Sequence, residues 1–229
     1  MNRRLSVLLL GAAVAATAFA MQSMTLKRVA TVGEVNEYKL NVVVDFQGTE
    51  VNYTARTVER VLSVEGGKIV TENETKDAKI DLGGQEQPMD DSKVKTTLGP
   101  DGEIVLIEGE MMDESAYRFA NLMAMRWPGA AVEKGTKWTV EQKADSKRST
   151  PATTFGFEIQ DLMSMAGRDV AKVGFKIKET EGDTPASSEG VMYIDIKTGL
   201  MVKTEGKMEN ANIGGMVLNA KFSSELIAK

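Results

Sequence analysis

Alternation of apolar and polar side chains at every second position constrains this chain more than any other feature. From Val35 to Phe46, the residues Tyr38, Leu40, Val42, Val44 and Phe46 fall on one face, with Glu37, Lys39, Asn41 and Asp45 on the other. Successive strand residues point to opposite faces, so this pattern describes an antiparallel strand with one buried and one wet face. The C-terminal end repeats it, where Leu218, Ala220, Phe222 and Leu226 alternate with Asn219, Lys221, Ser223 and Glu225. Between them the alternation predicts strands near 51–64, 68–75, 93–98, 103–109, 136–144, 152–165, 169–179, 190–196 and 200–208, broken by Gly, Asp, Asn and Pro. The polar stretch Asp81 to Lys93 is expected as an exposed loop or irregular hairpin.

The strands fall into two similar sets. TTLGPDGEIVLIEG (Thr96 to Gly109) resembles IDIKTGLMVKTEG (Ile194 to Gly206), and both Gly102 to Gly199 and Glu108 to Glu205 span 97 residues. ERVLSVEGGKIV (Glu59 to Val70) and QDLMSMAGRDVAKV (Gln160 to Val173) match at Ser63/Ser164 and Gly66/Gly167, both 101 apart. Gly33 before Tyr38 and Gly135 before Trp138 each open an aromatic-bearing strand. Concordant offsets point to a duplicated antiparallel meander.

One segment departs from period two. In MMDESAYRFANLMAMRWPG (Met111 to Gly129), Met112, Ala116, Phe119, Met123 and Trp127 recur at helical spacing, with Asp113, Glu114, Arg118 and Asn121 elsewhere on the wheel. Asp113 suits an N-cap, and Pro128 disfavours helix beyond Trp127. The expected fold is therefore mainly β: two duplicated meanders, 21–110 and 128–229, forming curved sheets or a half-barrel and joined by one amphipathic helix over 111–127. The concave face of a curved sheet is where the apolar stripe of that helix can be buried.

Residues 1–20, MNRRLSVLLLGAAVAATAFA, combine two arginines, a short apolar run and Ala18-Phe19-Ala20, the pattern of a cleaved export signal. Export to a periplasm or the exterior is expected, with no membrane span in the mature chain, because the apolar run is shorter than the ~20 residues a span needs. Without Arg3 and Arg4 the 28 basic residues become 26 against 33 acidic ones, a net charge of −7, which argues against nucleic acid as a partner. The chain has no cysteine, so neither disulfides nor a lipid-modified cysteine is available and stability rests on a buried core.

The chain also has no histidine, which removes Ser-His-Asp and Cys-His mechanisms, the usual zinc ligands and the commonest general base. Asp90-Asp91 and Asp113-Glu114 are adjacent pairs whose side chains diverge, unlike the converging carboxylates of a glycosidase. Gly66-Gly67, Gly83-Gly84 and Gly214-Gly215 are isolated turn glycines, not a phosphate cradle. No cofactor, metal or catalytic residue is expected. Methionine is abundant, at 14 residues, and suits irregular cores and adaptable apolar binding surfaces.

The run Pro128-Gly-Ala-Ala-Val132-Glu-Lys-Gly135-Thr-Lys-Trp138 resembles the Pro…Val-x-x-Gly-Asp-x-Trp element of exported bacterial proteins that form a family of unknown function, with Thr136 in place of the Asp. Lys197-Thr198-Gly199-Leu200 is similar to the recurring Thr-Gly turn of that family. The layout of curved antiparallel sheet plus helix also resembles periplasmic lipoprotein-carrier proteins, and this resemblance implies acyl chains held against a concave apolar face. The expectation is thus a non-enzymatic exported protein that binds a hydrophobic or amphipathic, lipid-like ligand between sheet and helix. Met112, Phe119, Met123 and Trp127 from the helix, facing Leu218 and Phe222, are the expected ligand-binding residues. The alternative is an envelope structural or protein-interaction module with a filled core, contacting a protein partner through an exposed edge strand at 216–227.

Overall fold

A computed structural model describes residues 23–46, 48–109, 115–213 and 216–227. The expected export signal, Asp113 and Met112 lie outside the described residues. The strands are β1 (Val35–Phe46), β2 (Thr49–Glu65), β3 (Lys68–Leu82), β4 (Glu86–Pro88), β5 (Ser92–Leu98) and β6 (Ile104–Gly109), then β7 (Lys137–Gln142), β8 (Thr153–Met165), β9 (Arg168–Glu179), β10 (Ser187–Asp195), β11 (Met201–Ile213) and β12 (Met216–Leu226). Among the described residues a single helix, α1 (Ala116–Asn121), precedes β7.

The strands form one curved, open, wholly antiparallel sheet in the order β6-β5-β3-β2-β1-β12-β11-β10-β9-β8-β7, with β4 paired to β3. Each half is a meander, and the last strand of the second pairs with the first strand of the first, Val42 opposite Phe222. This central pairing merges the halves. It also corrects the expectation that 216–227 forms an exposed edge: β12 is hydrogen-bonded on both sides, by β1 and β11. The edges are the short strands β6 and β7.

The duplication has a structural counterpart. Gly33 N–H donates to Val61 O at 2.9 Å and Gly135 N–H to Ile159 O at 2.7 Å, and each acceptor is followed by a bulge, at Leu62 and at Gln160. The β2–β3 and β8–β9 turns place Gly66-Gly67 and Ala166-Gly167 at positive φ, 57°/80° and 48°/74°, the geometry of a tight primed hairpin turn. Turn geometry therefore equates Gly67 with Gly167, one residue away from the Gly66/Gly167 match read in the sequence. The difference arises because the β8–β9 arm beyond its bulge is longer, which slides the local offset.

The segment leading into each meander crosses the other half. Val29 N–H donates to Thr198 O at 2.7 Å, and Trp127 N–H to Asp101 O at 2.8 Å. At each crossing a glycine is required: a Cβ on Gly199 would lie 2.1 Å from Lys27 O, and one on Gly102 would lie 2.1 Å from Met125 O. The two leaders also pair with each other through Met24 and Val132, with mutual 2.8 Å hydrogen bonds.

The helix is shorter than its apolar spacing suggests. After Asn121 the chain continues in turns whose bonds run back three residues, Met123 N–H to Ala120 O and Ala124 N–H to Asn121 O, both 3.1 Å. By Trp127 the backbone has left the helix to donate to Asp101 O, so the expected helical stretch 122–127 is a tertiary crossing instead. Leu122 to Arg126 have good helix propensity, but the crossing over Gly102 ends the helix.

Side chains cover backbone groups on the β6 edge, and Arg126 links that edge to a side chain of β7. Tyr117 Oη accepts from Ile107 N–H of β6 at 3.0 Å, and Arg148 donates to Ile104 O at 3.4 Å while its guanidinium lies 5.6 Å from the Tyr117 ring. Arg126 reaches Asp101 beside β6 at 3.5 Å and donates to Gln142 of β7 at 2.6 Å. Such covering protects exposed strand edges from pairing with another chain.

Candidate functional site

The concave faces of the two halves are built from equivalent register positions carrying opposite chemistry. In the second half, Phe157 pairs across to Phe175, Phe155 to Ile177 and Ile159 to Val173. All six are at most 4% exposed. In the first half the corresponding pairs are Glu59 with Asn73, Thr57 with Thr75 and Val61 with Thr71, and the rows extend to Val94, Ser92 and Thr96. Apart from Val61 and Thr71 these residues are only half-buried.

Helix α1 is fastened to the filled half. Arg118 donates to both carboxylate oxygens of Glu179 at 2.5 Å, and Glu179, 2% exposed, also accepts from Ala186 N–H. Ser188 Oγ donates to Leu122 O. A bidentate guanidinium–carboxylate pair fixes orientation as well as position. Leu122, Ala124 and Met125 are consequently buried in the main core with Phe155, Phe157 and Phe175.

Between this fastened segment and the first half lies a cavity of about 290 Å³, with Met123 and Trp127 on one wall, Leu98, Ile104 and Met201 on another, and Tyr38, Glu59 and Thr71 on the sheet. Arg28, from the first leader, closes one end. Its guanidinium contacts Glu34 at 2.5 Å and Glu59 at 3.8 Å, and Asn36 Nδ2 donates to Glu34 at 2.8 Å and Glu59 at 3.1 Å. Burial works against the Glu34 carboxylate, but hydrogen bonds from Asn36, Arg28 and Thr31 N–H outweigh it and hold its pKa below the ordinary range. Burial, reinforced by the negative charge of Glu59 and Glu34, pushes the Tyr38 hydroxyl far above its ordinary value, so it remains a protonated donor.

Of the residues expected to bind ligand, the structure brings Met123 and Trp127 together on the cavity wall. Phe119 packs against the core without lining the cavity, and Met112 lies outside the described residues. Phe222 is a core residue, 5% exposed, on the central strand β12, and Leu218 is half-buried higher on that strand; neither lines the cavity. The polar residues of the first half escaped sequence reasoning. Their signal is present all the same: on the inward face of β2, Thr57 and Glu59 interrupt the apolar series Val51, Tyr53, Ala55 and Val61.

Arg126 occupies in the second leader the place that Arg28 holds in the first. It has no carboxylate as close as Glu34 is to Arg28, lies 5.0 Å from the Phe155 ring, and has no hydrogen bond at Nε or Nη1. Burial lowers its pKa, with Asp101 and Glu103 acting in the opposite sense. A larger trough of about 770 Å³ crosses β7 to β12 over Gly156 and Gly174. Ion pairs occupy most of its charged side chains, Lys137 with Glu158 at 3.5 Å and Lys207 with Glu189 at 3.1 Å, and it is open to solvent.

No family model matches the sequence, and no curated protein matches it. Among solved structures, a candidate lipoprotein from Parabacteroides distasonis aligns over 90% of this chain and 98% of its own, at 14% identity and a TM-score of 0.33. A DUF1329 family protein from Desulfovibrio piger aligns over 85% of this chain and 84% of its own, at 9% identity and a TM-score of 0.24.

Proposed function

We propose that this is an exported, non-enzymatic protein that holds an amphipathic, lipid-like ligand against the concave face of its first meander. The observation that carries this function is the cavity of about 290 Å³ left between that face and the segment after α1, lined by Met123, Trp127, Leu98 and Met201. Ligand pockets are mostly apolar with a few placed polar groups, and occupy from roughly 300 Å³ upward. The volume suits one slender apolar chain, and the Arg28, Glu34 and Glu59 cluster at its end suits a polar head. No helix among the described residues is long and apolar enough to cross a membrane. Export rests on residues 1–20 of the sequence.

The test is native mass spectrometry of the mature chain from Met21 to Lys229, followed by solvent extraction of any adduct. A lipid-sized adduct at one per chain, lost in Met123→Trp while the melting temperature is kept, supports the proposal. A bare protein after exposure to varied lipids overturns it and leaves a filled-core envelope module. Trp127 supplies a second readout, because only two tryptophans occur. In a Trp138→Phe background, ligand entry must change the Trp127 emission.

A further inference from the structure

We infer that the polar belt on the concave face of the first meander selects an uncharged, hydroxyl-rich head group, so that the ligand of the proposed site is glycolipid-like; this rests on the amphipathic-ligand proposal above. The belt comprises two adjacent register rows, Asn36-Glu59-Asn73 and Tyr38-Thr57-Thr75-Ser92, with Thr71 and Thr96 beside them. Each row runs across neighbouring strands, and paired residues of an antiparallel ladder share a face. Tyr38, Glu59, Thr71 and Thr96 line the cavity directly, so the belt begins where the apolar chamber ends.

The chemistry of the belt is narrow. Among the described residues, no protein group hydrogen-bonds to the side chains of Thr57, Thr75, Ser92 or Tyr38, whereas Asn73 donates to Thr71 at 3.3 Å and Asn36 to the two glutamates. Hydroxyls both donate and accept, so they match a partner with closely spaced hydroxyls of its own. A head group that displaces their water must replace those hydrogen bonds or lose affinity. Aromatic faces stand beside the belt: Tyr38 within it, Tyr53 on the same face of β2, and Trp127 across the cavity. Among the described residues that line the cavity the charged ones are Arg28 and Glu59, and the guanidinium of Arg28 is already taken up by Glu34 and Glu59, so no unpaired positive charge is offered to a carboxylate or phosphate head.

Comparison within the molecule sets the belt apart from its counterpart. The second half builds the same rows from Trp138, Phe157 and Phe175, and from Val140, Phe155 and Ile177, so the fold accepts apolar residues there. Polar residues in a curved interior otherwise cost stability unless they are partnered.

Three amphiphiles with the same saturated dodecyl tail, used below their micelle-forming concentrations, separate the head from the tail: dodecyl maltoside, laurate and dodecyltrimethylammonium. Titrating each into the full mature chain, followed by Trp127 emission in the Trp138→Phe background, should give maltoside binding at least tenfold tighter than laurate. The double variant Thr57→Val/Thr75→Val, with an unchanged melting profile, should lose most of that preference while laurate affinity stays the same. Equal affinity for all three heads, or a preference indifferent to the double variant, overturns the head-group inference and leaves the amphipathic carrier standing. Tightest binding of the ammonium overturns it in favour of attraction by Glu59. Binding of none overturns both.

Discussion

The two halves share one meander and differ in what fills it. In the second, Phe155, Phe157, Ile159, Val173, Phe175 and Ile177 close the concave face and receive α1, held by the Arg118–Glu179 pair. In the first, the equivalent positions are Thr57, Glu59, Val61, Thr71, Asn73 and Thr75, and a cavity remains between the helix-following segment and this face at Glu59 and Thr71. Burying an aromatic side chain removes large apolar area from water and dominates a core. The second half can therefore act as the stable scaffold against which the first keeps an unfilled, partly polar face. Duplication followed by divergence of the interior is one route from a core to a site.

Exchanging counterparts tests this contrast most severely. Phe157→Glu should destabilise the protein by more than about 4 kcal/mol, through a cavity and a buried charge without a partner, and abolish folding in a marginal background. Glu59→Phe, the reverse exchange, should shift stability by no more than about 1 kcal/mol while shrinking the cavity and reducing ligand uptake. Urea unfolding of the two variants gives the comparison directly, and equal losses would show that the halves are energetically alike.

Breaking the fastening comes next. Arg118→Met strands Glu179, which is 2% exposed, at a cost of about 3 kcal/mol. Amide exchange at 116–121 should accelerate more than exchange in β1 or β2. The reciprocal crossings sharpen the comparison from the other side: Gly102→Ala and Gly199→Ala should each cost about 2 kcal/mol, because both glycines have positive φ, 83° and 64°, and both abut a crossing carbonyl. Unequal losses would show that one leader crossing matters more than the other.

The smallest effect is the response to acid. Glu34 in the first leader and Asp195 in the second half both have lowered pKa values. At Asp195 burial opposes ionisation, but hydrogen bonds from Arg168, Thr198 and Lys197 outweigh it. A lowered folded-state pKa means the unfolded chain takes up protons first, so this stabilisation is full above the ordinary carboxylate range and is lost as pH falls below that range through the lowered folded-state values. Melting temperature should hold from neutral pH down to that range and then decline, with Glu34→Gln and Asp195→Asn each flattening the decline.

Much of the architecture was legible because strands announce themselves locally. Period two in Val35–Phe46 and Met216–Leu226 marks both central strands, and the paired offsets around Gly102/Gly199 mark the repeat. Reach was harder to read. The helical spacing of Met123 and Trp127 describes a continuous helix, yet Trp127 N–H is taken by Asp101 O, a partner that local sequence does not name. Strand order failed for the same reason: nothing within 216–227 reveals that β1, nearly the whole chain away, covers its free edge.

The sequence by itself determined the secondary-structure class, the duplicated meander, the absence of cysteine and histidine chemistry, and the apolar residues Met123 and Trp127 that line the cavity wall. These follow from side-chain periodicity and side-chain chemistry, which are properties of neighbours along the chain. Only the tertiary structure decided which concave face is filled, which strands are edges, and that Arg28, Glu59 and Tyr38 line one cavity. Those outcomes depend on long-range pairing and on where α1 is fastened, and the energy of such contacts is shared between segments that carry no local sign of each other.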